Sequence, residues 1–231
     1  MRSDRPKPVP LEVETTTERL ILDDDGLAKV VAAARRVLAD DGIIVFPTES
    51  FYGIGVRADS RAAVERLVRA KSRDADKPIP LIAATRVDVS RIGPMPDLLE
   101  PLAAEFWPGP LTMAIPVADL AVWPESLSAG TGTIGVRVSG HGLAVQLAAL
   151  AGGLITASSA NPAGGTPPLS PAGLAPELTG FAGLIVDGGL CAGGLPSTVV
   201  AVRDGVVAVL REGAIARAVI EQAIERAGGR K

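Results

Sequence analysis

The sequence predicts an α/β fold in a single domain, and three observations predict it. Short apolar runs that end in polar loops, such as Ile43-Ile44-Val45-Phe46 between Gly42 and Pro47, are too short for helices and read as strands buried on both faces. Between such runs lie stretches with apolar residues at helical spacing, as at Leu27, Val30, Val31, Ala34, Val37 and Leu38. This alternation points to α/β architecture. The 231 residues are enough for one well-buried domain and short for two.

Composition narrows the class. Aromatic residues make up only 3%, so the core must be built from Ala, Val, Leu and Ile. The 26 glycines and 19 prolines imply many tight turns, but they alternate with apolar runs, which fits a loop-rich globular enzyme and not a disordered chain. A net charge of −3 argues against general electrostatic binding of nucleic acid, so any polyanion site must be local. A single cysteine, Cys191, excludes an intramolecular disulfide and a cysteine metal cluster, and cytoplasmic residence is the natural expectation. The polar start, Met1 to Pro6, lacks the apolar core of a signal peptide. Longer apolar stretches are broken by Gln146 and Gly152-Gly153, so no membrane span is expected.

Residues 1–19, with Pro6, Pro8, Pro10 and the Thr15-Thr16-Thr17 run, are expected to form a flexible leader, leaving 20–231 as the catalytic domain. A helix from Gly26 closes at Asp41-Gly42 and the first core strand follows. Pro47 cannot donate to a sheet ladder, so the strand stops there and Thr48-Glu49-Ser50-Phe51-Tyr52-Gly53-Ile54-Gly55 is expected to be a loop. Such a loop is either an ordinary connection or a ligand loop, since open α/β sheets bind small molecules at the carboxyl ends of their strands. The next helix carries Ala63, Val64, Leu67 and Val68 on one face and ends at Lys71-Ser72-Arg73, with Lys77 just beyond and a strand over Ile79 to Ala83. Its terminal cations either oppose the helix dipole, worth about 0.3–1 kcal/mol each, or form a phosphate clamp.

Pro47 to Gly55, followed by Lys71-Ser72-Arg73 and Lys77-Pro78, resembles the YrdC family, the threonylcarbamoyl-AMP synthases, and the likeness extends from about residue 27 to residue 215. The family's fold is a twisted mixed sheet with flanking helices and ligands in a concave cleft. The resemblance is to its single-domain form.

Later segments add to the likeness. A helix over Asp97 to Phe106 leads into Trp107-Pro108-Gly109-Pro110-Leu111-Thr112, where the prolines fix a turn and Thr112 opens a strand. Thr112 is a plain strand residue or, as the family's Pro-Gly-Pro-Leu-Thr implies, a nucleotide contact. Arg137 interrupts the apolar strand Thr133 to Val138, and since burying an unpaired arginine is costly it should meet an anion, either a structural carboxylate or a substrate. His141, the single histidine, is expected to face solvent at a helix start and to have no catalytic role. After a helix from Leu143 to Ala151 and a strand from Leu154 to Ser158 comes Ser159-Ala160-Asn161-Pro162, an Asx-type turn or an oxygen-binding loop. In the family this Ser-x-Asn pair acts with the Lys-x-Arg pair, which maps onto Lys71, Arg73, Ser159 and Asn161 as catalytic residues.

Downstream the match loosens. Ala163 stands where the family has a hydroxyl, either Thr166 or Ser170 takes the nucleotide-facing place, and Pro196 replaces a glutamate before Ser197-Thr198. Asp204-Gly205 between β-branched runs signals a hairpin. The second strand ends at Leu210-Arg211-Glu212-Gly213, and a helix over Ala214 to Ala227 closes the domain.

The resemblance implies synthesis of threonylcarbamoyl-AMP and pyrophosphate from L-threonine, bicarbonate or CO2, and ATP. Other proteins then place the threonylcarbamoyl group on an adenosine of transfer RNA, so tRNA or tRNA-modification proteins are implied partners. Thr48, Arg137 and Thr198 are expected at L-threonine. Arg73, Lys77, Thr112, Ser159, Ser197 and Arg211 are expected at ATP. No metal cluster is visible in the sequence, and Mg2+ is expected to arrive on the ATP phosphates.

Gly53-Ile54-Gly55-Val56-Arg57-Ala58 matches a relaxed dinucleotide-binding fingerprint, but six residues separate it from its strand and the next strand ends without an acid. A non-catalytic RNA-binding module of the same fold would need exposed aromatics, which four Phe, two Trp and one Tyr poorly supply.

Overall fold

A computed structural model describes residues 16–23, 25–72 and 76–228. In chain order these form β1 (Glu18–Ile21), α1 (Leu27–Ala39), β2 (Ile43–Pro47), β3 (Tyr52–Gly55), α2 (Arg61–Lys71) and β4 (Leu81–Ala83). There follow α3 (Arg86–Val89), a 3-10 turn at Asp97–Leu99, α4 (Glu100–Phe106), β5 (Leu111–Pro116), α5 (Glu125–Ser128) and β6 (Thr133–Val138). The remainder is α6 (Gly142–Leu150), β7 (Leu154–Thr156), β8 (Ser158–Ser159), a 3-10 turn at Pro171–Gly173, α7 (Pro176–Thr179), β9 (Ala182–Asp187), β10 (Thr198–Arg203), β11 (Val206–Arg211) and α8 (Arg217–Gly228).

The strands divide between two mixed sheets, where the sequence suggested one. Among the described residues the first runs β1-β9-β2-β3-β8 and the second β11-β10-β5-β6-β4-β7. In the first sheet β1, β9 and β2 are parallel, while β3 turns back on β2 and pairs in turn with β8. In the second, β5 and β6 are antiparallel neighbours at the centre. The chain steps from one sheet to the other between β7 and β8, at Ala157, whose N–H donates to Pro80 O at 2.8 Å.

β2 is buried along its whole length between β9 and β3, which explains its uninterrupted apolar run. The stretch expected as a loop is shorter than the sequence suggested. Only Thr48 to Phe51 is a connection, because Tyr52–Gly55 pairs with β2. Tyr52 and Ile54 carry the inward face, and Gly55 is required because a Cβ there would collide with the Thr156 carbonyl. This also disposes of the dinucleotide fingerprint, since its glycines lie in a strand of a tight hairpin and open no helix.

The main core fills the space under both sheets with Tyr52, Ile54, Leu67, Leu111, Val136 and Val200, while a second cluster joins α1 and α6 to the outer side of β2 through Val30, Leu38, Phe46 and Leu147. Asp204 and Gly205 take positive φ of 51° and 76°, the geometry of the two-residue hairpin the sequence signals between β10 and β11.

At the amino end, β1 starts at Glu18, inside the segment read as a leader, and Arg19 pairs with Asp187 at 2.7 Å. Residues 1–15 lie outside the described residues. Among the described residues no helix is long and apolar enough to cross a membrane.

Candidate active site

A cleft of about 350 Å³ opens where the two sheets meet. Its walls come from the Thr48–Phe51 loop, from β5, β6 and β8, and from the approach to β10 together with the end of β11. Six of the residues named from the sequence line it: Thr48, Thr112, Arg137, Ser159, Ser197 and Arg211.

Thr48 follows the strand-ending Pro47 and closes its own loop. Its hydroxyl donates to Phe51 O at 2.7 Å and lies 3.4 Å from the backbone N–H groups of Ser50 and Phe51. Opposite stands Arg137, buried on β6 with 11% of its side chain exposed. The anion it was expected to meet is a structural carboxylate, Glu49, with Nη1 2.7 Å from Oε1. Burial pushes the Arg137 pKa down, the Glu49 charge opposes that shift, and the charge of Arg211 adds to it.

A second group of donors lines the same cleft. Thr112 Oγ1 and Ser197 Oγ are 2.8 Å apart, and Arg211 Nη2 donates to Ser197 O at 2.8 Å. The register of β5 against β10, Thr112 opposite Val199, brings these residues together although 85 positions separate them. Desolvation in the cleft wall lowers the Arg211 pKa as well. Two backbone segments pack closely here: at Gly213 a Cβ would strike the carbonyls of Pro196 and Ser197.

Lys71 plays a part that the sequence did not suggest. It is 3% exposed, and Nζ donates to the carbonyl oxygens of Ser159 and Asn161, the latter at 2.8 Å. Its charge therefore pins the loop after β8 from behind. Asn161 turns its amide inward, donating from Nδ2 to Pro162 O at 2.8 Å and Gly165 O at 2.7 Å, while Oδ1 is buried without a hydrogen-bond partner among the described residues.

Other named residues sit elsewhere. Thr198 is fully buried and does not line the cleft; its hydroxyl donates to Ile215 O and accepts from the N–H groups of Gly213 and Ile215, both at 3.0 Å. Lys77 is exposed beside Pro78, which does line the cleft. Neither Thr166 nor Ser170 lines it. Arg73 lies outside the described residues.

His141 departs from expectation. It is half-buried at the start of α6, and its Nδ1 has no hydrogen-bond partner among the described residues. Burial lowers its pKa and the Glu49 charge opposes this. Sequence reasoning assigned no role to Glu49, Ser139 or Ser158, of which Ser158 lines the cleft. The available signal was a carboxylate in a strand-end loop and an arginine in an apolar strand, each in need of a partner.

A family model, Sua5_yciO_yrdC, described as Telomere recombination, matches residues 36–213. The chain belongs to the Sua5/YciO/YrdC family. It is 34% identical over 212 residues to the threonylcarbamoyl-AMP synthase of Bacillus subtilis, covering 90% of this chain and 59% of that one. It is 37% identical over 186 residues to the threonylcarbamoyl-AMP synthase of Chromohalobacter salexigens, covering 78% of this chain and 95% of that one. The crystal structure of P. abyssi Sua5 complexed with L-threonine superposes with a TM-score of 0.82 at 32% identity, covering 91% of this chain and 61% of that one. The chain thus spans about three fifths of the length of the Bacillus and P. abyssi relatives. The α/β fold with mixed sheets and flanking helices is that of this family.

Among the described residues no group of three His, Cys, Asp or Glu side chains is placed to hold a metal ion. The cleft's own oxygens belong mainly to hydroxyls, and the nearby Glu49 carboxylate is engaged by Arg137. Such donors suit a hard cation that keeps waters and phosphate ligands of its own.

Proposed function

We propose that this chain joins L-threonine, bicarbonate or CO2, and ATP to give threonylcarbamoyl-AMP and pyrophosphate. The observation that carries the reading is the convergence on one cleft of two arginines, Arg137 and Arg211, with hydroxyls drawn from both sheets. Two cations and several hydroxyls in one cleft suit two anionic ligands held side by side.

The reaction asks for alignment more than for covalent help. An N-carboxylated threonine attacks the α-phosphate of ATP through a carbamate oxygen, the new O–P bond forms, and the bond to pyrophosphate breaks. The protein's task is to hold two anions in line and offset their repulsion. In this reading Arg211, Thr112 and Ser197 take the nucleotide, with Ser159 on the facing wall. Arg137 and Thr48 take the amino acid, its carboxylate on the guanidinium. Lys71 acts on the backbone of residues 159–161, fixing the loop that carries Ser159 and Asn161. Arg73 and Lys77, next to that loop's anchor in sequence, are assigned to the phosphates. Magnesium arriving with ATP would supply further charge neutralisation.

The reading extends to transfer RNA or tRNA-modifying proteins as recipients of the product, and to the cytoplasm as the place of action. Pyrophosphate release tests it. Release that requires ATP, L-threonine and bicarbonate together is the expected result; RNA binding without ATP turnover would replace the enzyme with a binding module.

A further inference from the structure

Glu49 and Arg137 belong to different sheets. Glu49 stands in the loop that follows β2 of the five-stranded sheet, and Arg137 stands on β6 of the six-stranded one. Their charges meet at 2.7 Å, with side-chain exposures of 22% and 11%. The second carboxylate oxygen, Oε2, accepts from the Ser139 hydroxyl at 2.6 Å, and Ser139 Oγ in turn accepts from the His141 N–H at 3.1 Å. Both oxygens of Glu49 are thus engaged by the end of β6. The pair is shielded from water, where removing one partner leaves an uncompensated charge.

The pairing leaves the arginine with capacity to spare. A guanidinium has five N–H donors, and Glu49 Oε1, though 2.7 Å from Nη1, lies outside hydrogen-bonding geometry to it. Arg137 lines the cleft and Glu49 does not. Arg211 shares the cleft, so without Glu49 two cations would face each other with no carboxylate behind them.

We infer that Glu49 is a positioning residue: it fixes the Arg137 guanidinium against the cleft wall, across the seam between the sheets, so that the donors left over receive a carboxylate. It acts through Arg137 and touches no substrate. The inference rests on the proposed reading of the cleft, in which that carboxylate belongs to L-threonine.

Steady-state kinetics of the full chain with Glu49→Gln, Ser139→Ala, Arg137→Lys and the Glu49→Gln/Arg137→Lys pair test it. Glu49→Gln keeps shape and loses charge, and should raise KM for L-threonine about tenfold while KM for ATP stays within about twofold. Ser139→Ala should shift the same KM in the same direction by about threefold. The double variant should be no worse than Arg137→Lys alone, because Glu49 has no other route to the substrate.

An unchanged KM for L-threonine, equal rises for both substrates, or effects that multiply in the double variant would overturn the inference. If Glu49→Gln does not fold, Ser139→Ala is read by the same criteria. Absence of wild-type turnover would sink the functional reading alone. Glu49 is then judged by the NMR order parameter of the Arg137 Nε–H, which should be high in the wild type and fall in Glu49→Gln; equal values in both overturn the positioning role.

Discussion

The hydroxyl oxygens of Thr112 and Ser197 lie 2.8 Å apart, tying β5 to the segment that enters β10. Arg211 holds the Ser197 carbonyl at 2.8 Å, so the three side chains form one unit. Removing either hydroxyl should loosen the others. Ser197→Ala and Thr112→Val should each raise KM for ATP several-fold, and the double variant should show a coupling of about 0.5–3 kcal/mol. Kinetics on the four-member cycle measure it, and additive effects would mean that the hydroxyls act separately.

Lys71 supports the loop after β8 through two carbonyls. Lys71→Met keeps the apolar stem and removes the charge, leaving buried acceptors without their donor. We expect stability to fall by about 2–3 kcal/mol and kcat by at least about a hundredfold, read from urea unfolding and turnover. Full activity in Lys71→Met would show that the loop holds its shape unaided.

Thr198 separates a structural role from a substrate role. Its hydroxyl is committed to three backbone groups of the Gly213–Ile215 turn. Thr198→Val should cost about 1–3 kcal/mol through the unsatisfied N–H groups, with KM for L-threonine nearly unchanged. A large rise in that KM at unchanged stability would restore the residue to the amino-acid site.

His141 is the single histidine, so its titration can be isolated. Burial lowers its folded-state pKa below the unfolded value of about 6.5. The unfolded chain therefore takes up more protons as pH falls through that range, and stability present above about 6.5 is lost as pH drops through the folded value. Urea midpoints at about pH 7.5 and about pH 5.5, the latter still above the usual carboxylate range, should differ in the wild type, and His141→Gln should reduce the difference. An equal drop in both proteins would assign it elsewhere.

Much of the fold is legible in the sequence because its signals are local. The run Ile43 to Phe46, the spacing of Val64 and Leu67, and the Asp204-Gly205 turn each depend on near neighbours, and each element forms where expected. Tyr52 to Gly55 does not look like a strand in sequence because two glycines and a preceding polar loop hide one that pairing with β2 and β8 stabilises. The division into two sheets is non-local in the same way. Residue types at the site were legible, but their directions were not. Thr48, Thr112 and Arg211 face the cleft, whereas Lys71 reaches backbone carbonyls and Thr198 turns to a neighbouring loop. Which way a hydroxyl or ammonium points depends on acceptors distant in sequence, as Lys71 and Asn161 illustrate at a separation of 90 residues.

The most direct test of the account is mass spectrometry of the nucleotide products formed from ATP, L-threonine and 13C-bicarbonate. The account predicts a threonine-carbonyl-AMP conjugate carrying one label from bicarbonate, formed by the wild type and nearly absent with Arg137→Met or Arg211→Met. AMP and pyrophosphate formed without any labelled conjugate, or a conjugate made equally well by both variants, would contradict it.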